Sequence, residues 1–232
     1  VTLEKEVPAE INILVIAEMR EPMTEIEKVN FDKYVARGGN LVIIGEPGRQ
    51  GVMGPVLEPF GVKLVDGFLI QPEKPKDPEQ EKHNVNLGPF AGFVAPKNPI
   101  DLIVTQPTKE AEEMSYVFGM MRPNYVAVMP TAAGLEYTTD KGFDVVPLFM
   151  SDSTCWNELE NTEIVDQEVV FNPDAGEVQK SYPLALALSR KMGEREQKII
   201  ILGDADCLSD GELTRNRNPL WAANYVIIQG SF

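Results

Sequence analysis

Histidine and cysteine are nearly absent from this sequence, which has one histidine, His83, and two cysteines, Cys155 and Cys207. A hydrolase or amidotransferase of the nucleophile–base type needs a Cys or Ser on a tight elbow after a strand, with a histidine beside it. His83 lies in a charged loop, and neither cysteine sits on a glycine elbow at a strand end. The sequence therefore predicts no catalytic residues of this type and indicates a solvated histidine.

The cysteines also fail to form a metal-binding pattern. Cys155 and Cys207 belong to no Cys-x-x-Cys motif and to no Cys/His cluster, which excludes a structural zinc site. A disulfide between them stays open, although two buried thiols fit the pattern better.

Basic residues are scarce relative to acidic ones. Lys and Arg together number 21 against 36 Asp and Glu, which gives a formal net charge of −15. An acidic surface repels phosphate groups, so we expect no nucleic-acid partner and no electrostatic attraction to anionic lipid.

Long hydrophobic runs are missing too, because no apolar segment approaches the roughly 20 residues that span a bilayer. The chain begins at Val1 instead of Met and stops at Phe232, which indicates a fragment of a longer protein. We predict a single α/β domain over residues 1–232, with an irregular, proline-containing insertion or sub-lobe at about 71–118.

What the sequence does contain begins with a strand–helix–strand pattern. The β-branched run Ile11–Ala17 predicts a buried strand, and Leu41–Ile44 predicts a second one. Between them, Thr24 and Glu27 have the spacing of a capping box that starts a helix ending at about Arg37. Such a unit predicts two parallel neighbouring strands.

The remaining elements are read from hydrophobic spacing in the same way. The pattern predicts a helix at Met53–Phe60, an extended stretch at Val62–Ile70, strands at Asp101–Val104, Tyr125–Met129 and Asp144–Met150, an edge piece at Val169–Phe171, helices at Lys109–Met114 and Ser181–Lys191, and a final helix from about Asn218.

The stretch Lys198–Asp210 carries the strongest functional signal. Its apolar run Ile199–Leu202 stops at Gly203, and Asp204 and Asp206 follow at once. This is how a buried parallel strand ends at the edge of an α/β sheet, where such folds keep their binding sites.

Charged residues follow all three predicted parallel strands. If the strands ending at Ala17, Ile44 and Gly203 are neighbours, their exits converge on one candidate ligand-binding cleft. The candidate cleft residues are Glu18, Arg20, Glu46, Arg49, Asp204 and Asp206. Mixed carboxylates and guanidinium groups beside glycines suit a sugar or peptide ligand, although a set of solvated turns is an equally good interpretation.

The pair Asp204 and Asp206 is also a weak candidate for binding Mg²⁺. A haloacid-dehalogenase-type phosphatase needs a lysine and further acidic residues far downstream of the nucleophilic Asp, and the 26 residues after Asp206 leave no room for them. A toprim-like arrangement with Glu18 or Glu46 stays open, as does a simple turn-capping role for the aspartates. We expect no bound metal ion and no cofactor. In particular, Gly45–Gly51 is glycine-rich but lacks the Lys-Ser/Thr of a phosphate-binding loop, so no nucleotide site is predicted there.

Several sequence segments, taken in their order along the chain, resemble those of a known family. They are Ile13–Ala17 with Pro22 and Thr24, Phe31–Gly39, Leu57–Asp66, Pro147–Trp156 and Ile199–Asp210. The chain resembles the extracytoplasmic domain of GldG-type proteins, which are auxiliary components of ABC-type transport systems linked to gliding motility.

The resemblance implies a three-layer α/β sandwich with a mostly parallel sheet, flavodoxin-like or class I glutamine amidotransferase-like. The same fold group is similar to the N-terminal domain of an intraflagellar-transport subunit. The resemblance further implies a periplasmic position at the cell inner membrane, a transporter permease or other membrane subunit as partner, and no settled enzymatic activity. We therefore expect a non-catalytic ligand- or partner-binding domain. The alternatives are a carbohydrate-binding module using Glu46 and Arg49, and a metal-dependent enzyme using Asp204, Asp206 and Glu46.

Overall fold

The protein is mostly β-structure built on one mixed sheet. The computed structural model describes residues 3–72, 100–114, 127–161 and 169–214. The predicted flavodoxin-like three-layer sandwich with a mostly parallel sheet is wrong, because the seven-stranded sheet is curled and mixed and carries few helices. The physical reason is that half of the sheet is built from antiparallel strands, which need no helical crossovers.

The described residues form eleven strands and four α-helices. The strands are Ile13–Ala17 (β1), Asn40–Ile44 (β2), Val62–Leu64 (β3), Phe68–Ile70 (β4), Leu102–Pro107 (β5), Ala127–Pro130 (β6), Leu135–Tyr137 (β7), Asp144–Met150 (β8), Trp156–Glu158 (β9), Pro183–Met192 (β10) and Arg195–Leu202 (β11). The helices are Glu25–Ala36 (α1), Gln50–Leu57 (α2), Lys109–Met114 (α3) and Asp210–Thr214 (α4). Short 3₁₀ turns occupy Glu58–Phe60, Pro173–Ala175 and Asp206–Leu208.

The main sheet has the strand order β1-β2-β11-β10-β8-β5-β6. Only β1, β2 and β11 are parallel neighbours, and every other adjacent pair is antiparallel. Strands β3 and β7 form a separate two-stranded ladder, and β4 and β9 form another. The predicted neighbourhood of the three strands that end at Ala17, Ile44 and Leu202 is therefore confirmed.

The β1-α1-β2 unit follows the sequence pattern closely. Thr24 caps α1, its hydroxyl accepting from the Glu27 backbone N–H while the Glu27 carboxylate accepts from the Thr24 backbone N–H. Phe31 and Tyr34 are the large buried side chains of the helix. The helix ends at Ala36, and the left-handed backbone of Gly38 (φ 85°) then turns the chain toward β2.

The predicted helix at Ser181–Lys191 is wrong. This segment is the long central strand β10, which forms a hairpin with β11 through a turn at Gly193, where φ is 65°. Leu184, Leu186 and Leu188 recur every two residues, which is the strand period. The intervening alanines are buried as well, so the segment lacks the polar face that would have marked a strand.

Smaller differences concern three other segments. Val62–Ile70 forms two short strands in two different ladders, and β11 begins at Arg195, earlier than its apolar run. Val169–Phe171 is not a strand, and two of its residues pack against Trp156. The helix predicted from Asn218, and most of the insertion predicted at about 71–118, lie outside the described residues.

The sheet buries apolar side chains on both faces. Alternate residues of β2 enter two different clusters: Leu41 and Ile43 pack with α1, while Val42 and Ile44 pack on the opposite face with Leu69. A helix long and apolar enough to cross a membrane does not occur in the described ranges.

Candidate functional site

The carboxyl ends of β1, β2 and β11 meet at one edge of the sheet, called here the carboxyl-end edge. Ala17 pairs with Ile44, and Ile44 pairs with Leu202, so the three exits lie side by side. The Gly45 N–H donates to the Leu202 carbonyl (2.8 Å), which holds the second and third exits together. The structure thus brings together the residues that follow these strands.

The exit of β11 is closed by the chain itself. The segment of residues 131–134, which follows β6, lies against Gly203: the Ala133 N–H donates to the Gly203 carbonyl at 2.9 Å, and the Gly203 N–H donates to the Leu184 carbonyl at 2.9 Å. A β-carbon at position 203 would overlap the Ala133 carbonyl oxygen. The glycine is therefore required by a close backbone approach, and no open cleft begins at this point.

Asp204, the residue after Gly203, is buried, with an exposed fraction of 0%. Its Oδ1 accepts from the Asp206 backbone N–H (2.7 Å), while its Oδ2 has no hydrogen-bond partner among the described residues. Burial, reinforced by the charges of Glu46 and Asp206, raises the pKa of Asp204 well above its usual range. This residue belongs to the interior of the edge instead of lining a solvent-filled cleft.

Glu46, directly after β2, is the half-buried member of the group. Its Oε1 accepts from the Ala205 backbone N–H at 2.7 Å, which ties the second strand exit to the turn after β11. Burial raises the pKa of Glu46, and the charges of Asp206 and Glu18 raise it further. Glu18, Glu46 and Asp206 therefore lie close enough to interact electrostatically.

The remaining predicted cleft residues are exposed. Glu18 and Asp206 are exposed carboxylates at the edge, and Arg20 and Arg49 are exposed guanidinium groups on the segments that leave β1 and β2. The ion pairs found within the described ranges involve none of these residues. The edge thus combines uncompensated carboxylates with arginines nearby in the chain.

The backbone at this edge is strained at two positions. Glu18 (φ 46°) and Thr131 (φ 53°) are the non-glycine residues with a left-handed backbone in the described part of the chain. Such conformations are uncommon for any side chain and rarer for a β-branched one. They cluster at functional sites, and both belong to segments that build this edge.

The structure offers little for the catalytic and metal alternatives. Cys155 and Cys207 are both buried and not joined by a disulfide. Burial, reinforced by Asp204 and Glu46, raises the pKa of Cys207, which disfavours the nucleophilic thiolate. Within the described ranges, no group of three or more His, Cys, Asp or Glu side chains is arranged to hold a metal ion. His83 lies outside those ranges.

Sequence reasoning missed the 131–134 segment. Nothing in the Gly203-Asp204-Ala205-Asp206 motif indicates that a distant strand exit will cover it. A usable signal exists at the other end, where small residues (Ala132, Ala133 and Gly134) follow Pro130 and permit a close approach between backbones.

Fold and edge together define a mostly β domain built on a mixed sheet, with an acidic carboxyl-end edge. No protein-family model matches this chain, and no curated protein matches it. Among solved structures, it is similar to the mmIFT52 N-terminal domain, with a TM-score of 0.58, 15% identity, and coverage of 95% of this chain and 75% of that one. It is also similar to a ThuA-like protein from Bacteroides uniformis, with a TM-score of 0.43, 13% identity, and coverage of 95% and 70%.

These likenesses concern the fold. At 15% identity, the match to the IFT52 domain confirms the predicted fold-level similarity to an intraflagellar-transport subunit and carries nothing about function. The resemblance to GldG-type proteins stays a prediction.

Proposed function

We propose that this chain is a non-catalytic, extracytoplasmic binding domain of a membrane-anchored, transporter-associated protein. In this proposal the exposed part of the carboxyl-end edge binds a positively charged group of a peptide or of a partner subunit such as a permease. The observation that carries it is the set of three interacting carboxylates, Glu18, Glu46 and Asp206, for which the described residues supply no ion-pair partner.

Three neighbouring carboxylates repel one another, and a folded domain retains such an arrangement at a cost in stability. A bound ammonium or guanidinium group offsets that repulsion, so the free edge is preorganised for a cation. Arg20 and Arg49, exposed nearby in the chain, suit a ligand that also carries a carboxylate or a carbonyl, as a peptide does.

Binding fits the described chemistry better than turnover does. The thiol nearest the edge, Cys207, is buried and its pKa is raised, and Asp204 is fully buried. The groups that reach solvent at the edge are charged side chains, which suit the binding of a charged ligand.

The test measures binding of a tri-arginine peptide by calorimetry, with tri-serine and tri-glutamate peptides as comparisons. Glu18→Gln and Asp206→Asn are each expected to weaken binding about two- to fivefold, the range for exposed ion pairs. Glu194→Gln and Asp144→Asn are matched controls, because both positions are exposed and lie at the opposite edge of the sheet.

Equal weakening in edge and control variants would mean attraction to the net charge alone and would contradict the proposal, as would no binding of the cationic peptide. A neutral sugar that binds in an edge-dependent manner would instead favour the carbohydrate-binding alternative.

A further inference from the structure

Among the described residues, one carboxyl group is fully buried while only one of its two oxygens accepts a hydrogen bond. Asp204 is 0% exposed, its Oδ1 accepts from the Asp206 N–H, and its Oδ2 has no partner among the described residues. An ionised carboxylate in such a position is costly, because neither water nor a donor reaches one of its two oxygens.

The carboxylates near Asp204 increase the free-energy cost of ionising it. The exit of β2 supplies Glu46 and the 3₁₀ turn supplies Asp206, and the charges of both raise the pKa of Asp204. The backbone N–H groups of Asp206 and Cys207 act in the opposite direction, but burial and the two carboxylates outweigh them. The Cys207 Sγ donates to the main-chain carbonyl of Asp204 at 3.2 Å. Beyond these, Glu18 acts on Glu46, and Glu212 of α4 acts on Cys207. The segment 131–134 carries no titratable side chain. All of these neighbours are acidic or neutral, so no described cation is placed to neutralise Asp204.

We propose that Asp204 is a proton-binding site: it is a neutral carboxylic acid while the carboxyl-end edge is closed, and loss of that proton opens the contact between the 131–134 segment and Gly203. This goes beyond the binding of cationic groups at the exposed rim, because it is a property of the chain alone.

The coupling between protonation and closure follows from chain continuity. Asp204 is the residue after Gly203, whose N–H and carbonyl are both held, by Leu184 and by Ala133. Gly203 and Asp204 are consecutive and the Ala133 backbone lies directly against Gly203, so we expect a backbone displacement that rehydrates Asp204 to break the contact between Gly203 and Ala133. Burial of the carboxyl group and closure of the edge are therefore one arrangement.

The sign of the pH dependence is fixed by the direction of the shift. The folded-state pKa of Asp204 lies above its unfolded value of about 3.9, so the folded state binds the extra proton. This contribution to stability is complete below the unfolded pKa and decreases as pH rises toward the folded pKa. Within that window the folding equilibrium constant falls by up to tenfold per pH unit.

The test compares unfolding of wild type and Asp204→Asn in urea from about pH 5 to pH 8. Asparagine keeps the shape of the protonated acid without its titration, so we expect the stability of wild type to fall with pH relative to this variant. Asp206→Asn is the matched control, since it removes an exposed carboxylate two residues away and leaves the buried titration in place. Amide hydrogen exchange of residues 131–134 should accelerate with pH, beyond the intrinsic chemical rate, in wild type and in this control but not in Asp204→Asn.

Parallel pH curves for wild type and Asp204→Asn would overturn the proposal. If Asp204→Asn fails to fold, the wild-type protein decides alone: in a pH titration followed by ¹³C NMR of labelled aspartate, one side chain should lose its proton at a higher pH than all the others. A titration in which every aspartate loses its proton over the same pH range would equally overturn the proposal. None of these measurements involves a ligand, so their failure is distinct from failure of the binding proposed for the rim.

Discussion

At the residue scale, the edge depends on a position with no side chain. Gly203 has ordinary backbone angles, so its role is spatial: the Ala133 carbonyl oxygen occupies the volume that a β-carbon would need. The obstructing atom belongs to the backbone and is fixed by the hydrogen bond between the Ala133 N–H and the Gly203 carbonyl. A side chain at position 203 therefore fits only if the 131–134 segment moves as a whole.

We predict that Gly203→Ala destabilises the protein by about 3 kcal/mol, the upper range for overpacking of a filled interior. The free energy of unfolding in urea measures this. The matched control is Gly51→Ala in α2, where an added β-carbon meets no atom within 4 Å. That variant should be stabilised by about 0.5–1 kcal/mol, because alanine is the better helix former. Similar values for the two variants would contradict the close approach at Gly203.

At the scale of elements, α1 is held at its start by a reciprocal pair of hydrogen bonds. The Glu27 carboxylate accepts from both the N–H and the hydroxyl of Thr24, each at 2.9 Å, and the Thr24 hydroxyl accepts from the Glu27 N–H at 3.3 Å. The hydrogen bond from the Thr24 backbone N–H lowers the pKa of Glu27 most, and the bond from the Thr24 hydroxyl lowers it further. The cap fixes where the helix begins after β1 leaves the carboxyl-end edge.

We predict that Thr24→Ala lowers the stability by about 1 kcal/mol, as loss of an N-cap does. In a chain of this size the change corresponds to a decrease of roughly 2–4 °C in Tm. Thr24→Ser should retain most of the stability because it keeps the hydroxyl. NMR titration should show the Glu27 pKa rising toward its ordinary value in Thr24→Ala and staying low in Thr24→Ser. A decrease in Tm without that rise would point to a cause other than the cap.

The same scale shows where sequence reasoning succeeds and fails. The β1-α1-β2 unit is predictable because its signals are local: a short apolar run, a capping box, and glycines at the helix end. Strand β10 is mispredicted because it is central and buried on both faces, so its Leu–Ala alternation lacks the polar residues that reveal a period of two.

The candidate site is predictable only in part, for a related reason. Convergence of the exits after Ala17, Ile44 and Leu202 follows from the parallel order of β1, β2 and β11. The close approach at the exit of β11 joins Gly203 to Ala133, 70 positions earlier in the chain, and no local pattern encodes a contact of that separation. The sequence motif predicts that Asp204 lies on an exposed rim, whereas in the structure Asp204 is buried.

At the scale of the whole molecule, negative charge is in large excess. The formal net charge is −15 at pH 7, and the ion pairs found in the described ranges involve side chains that are each at least 38% exposed. Exposed pairs of this kind contribute about 0–1 kcal/mol each. Repulsion spread over the surface therefore outweighs local attraction.

We predict that salt stabilises the folded protein at neutral pH, because screening weakens that repulsion in the compact state more than in the expanded one. Raising NaCl from about 0.01 M to about 1 M shortens the Debye length from about 30 Å to about 3 Å. The Tm at pH 7 should rise by about 3–6 °C, equivalent to roughly 1–2 kcal/mol for a chain of this size. The same step near pH 4.5, the isoelectric point calculated from the sequence, is the control, since the net charge vanishes there and only the other effects of the salt remain. An equal rise at both pH values would assign the effect to those other causes, and a fall in Tm at pH 7 would mean that attractive pairs dominate the surface.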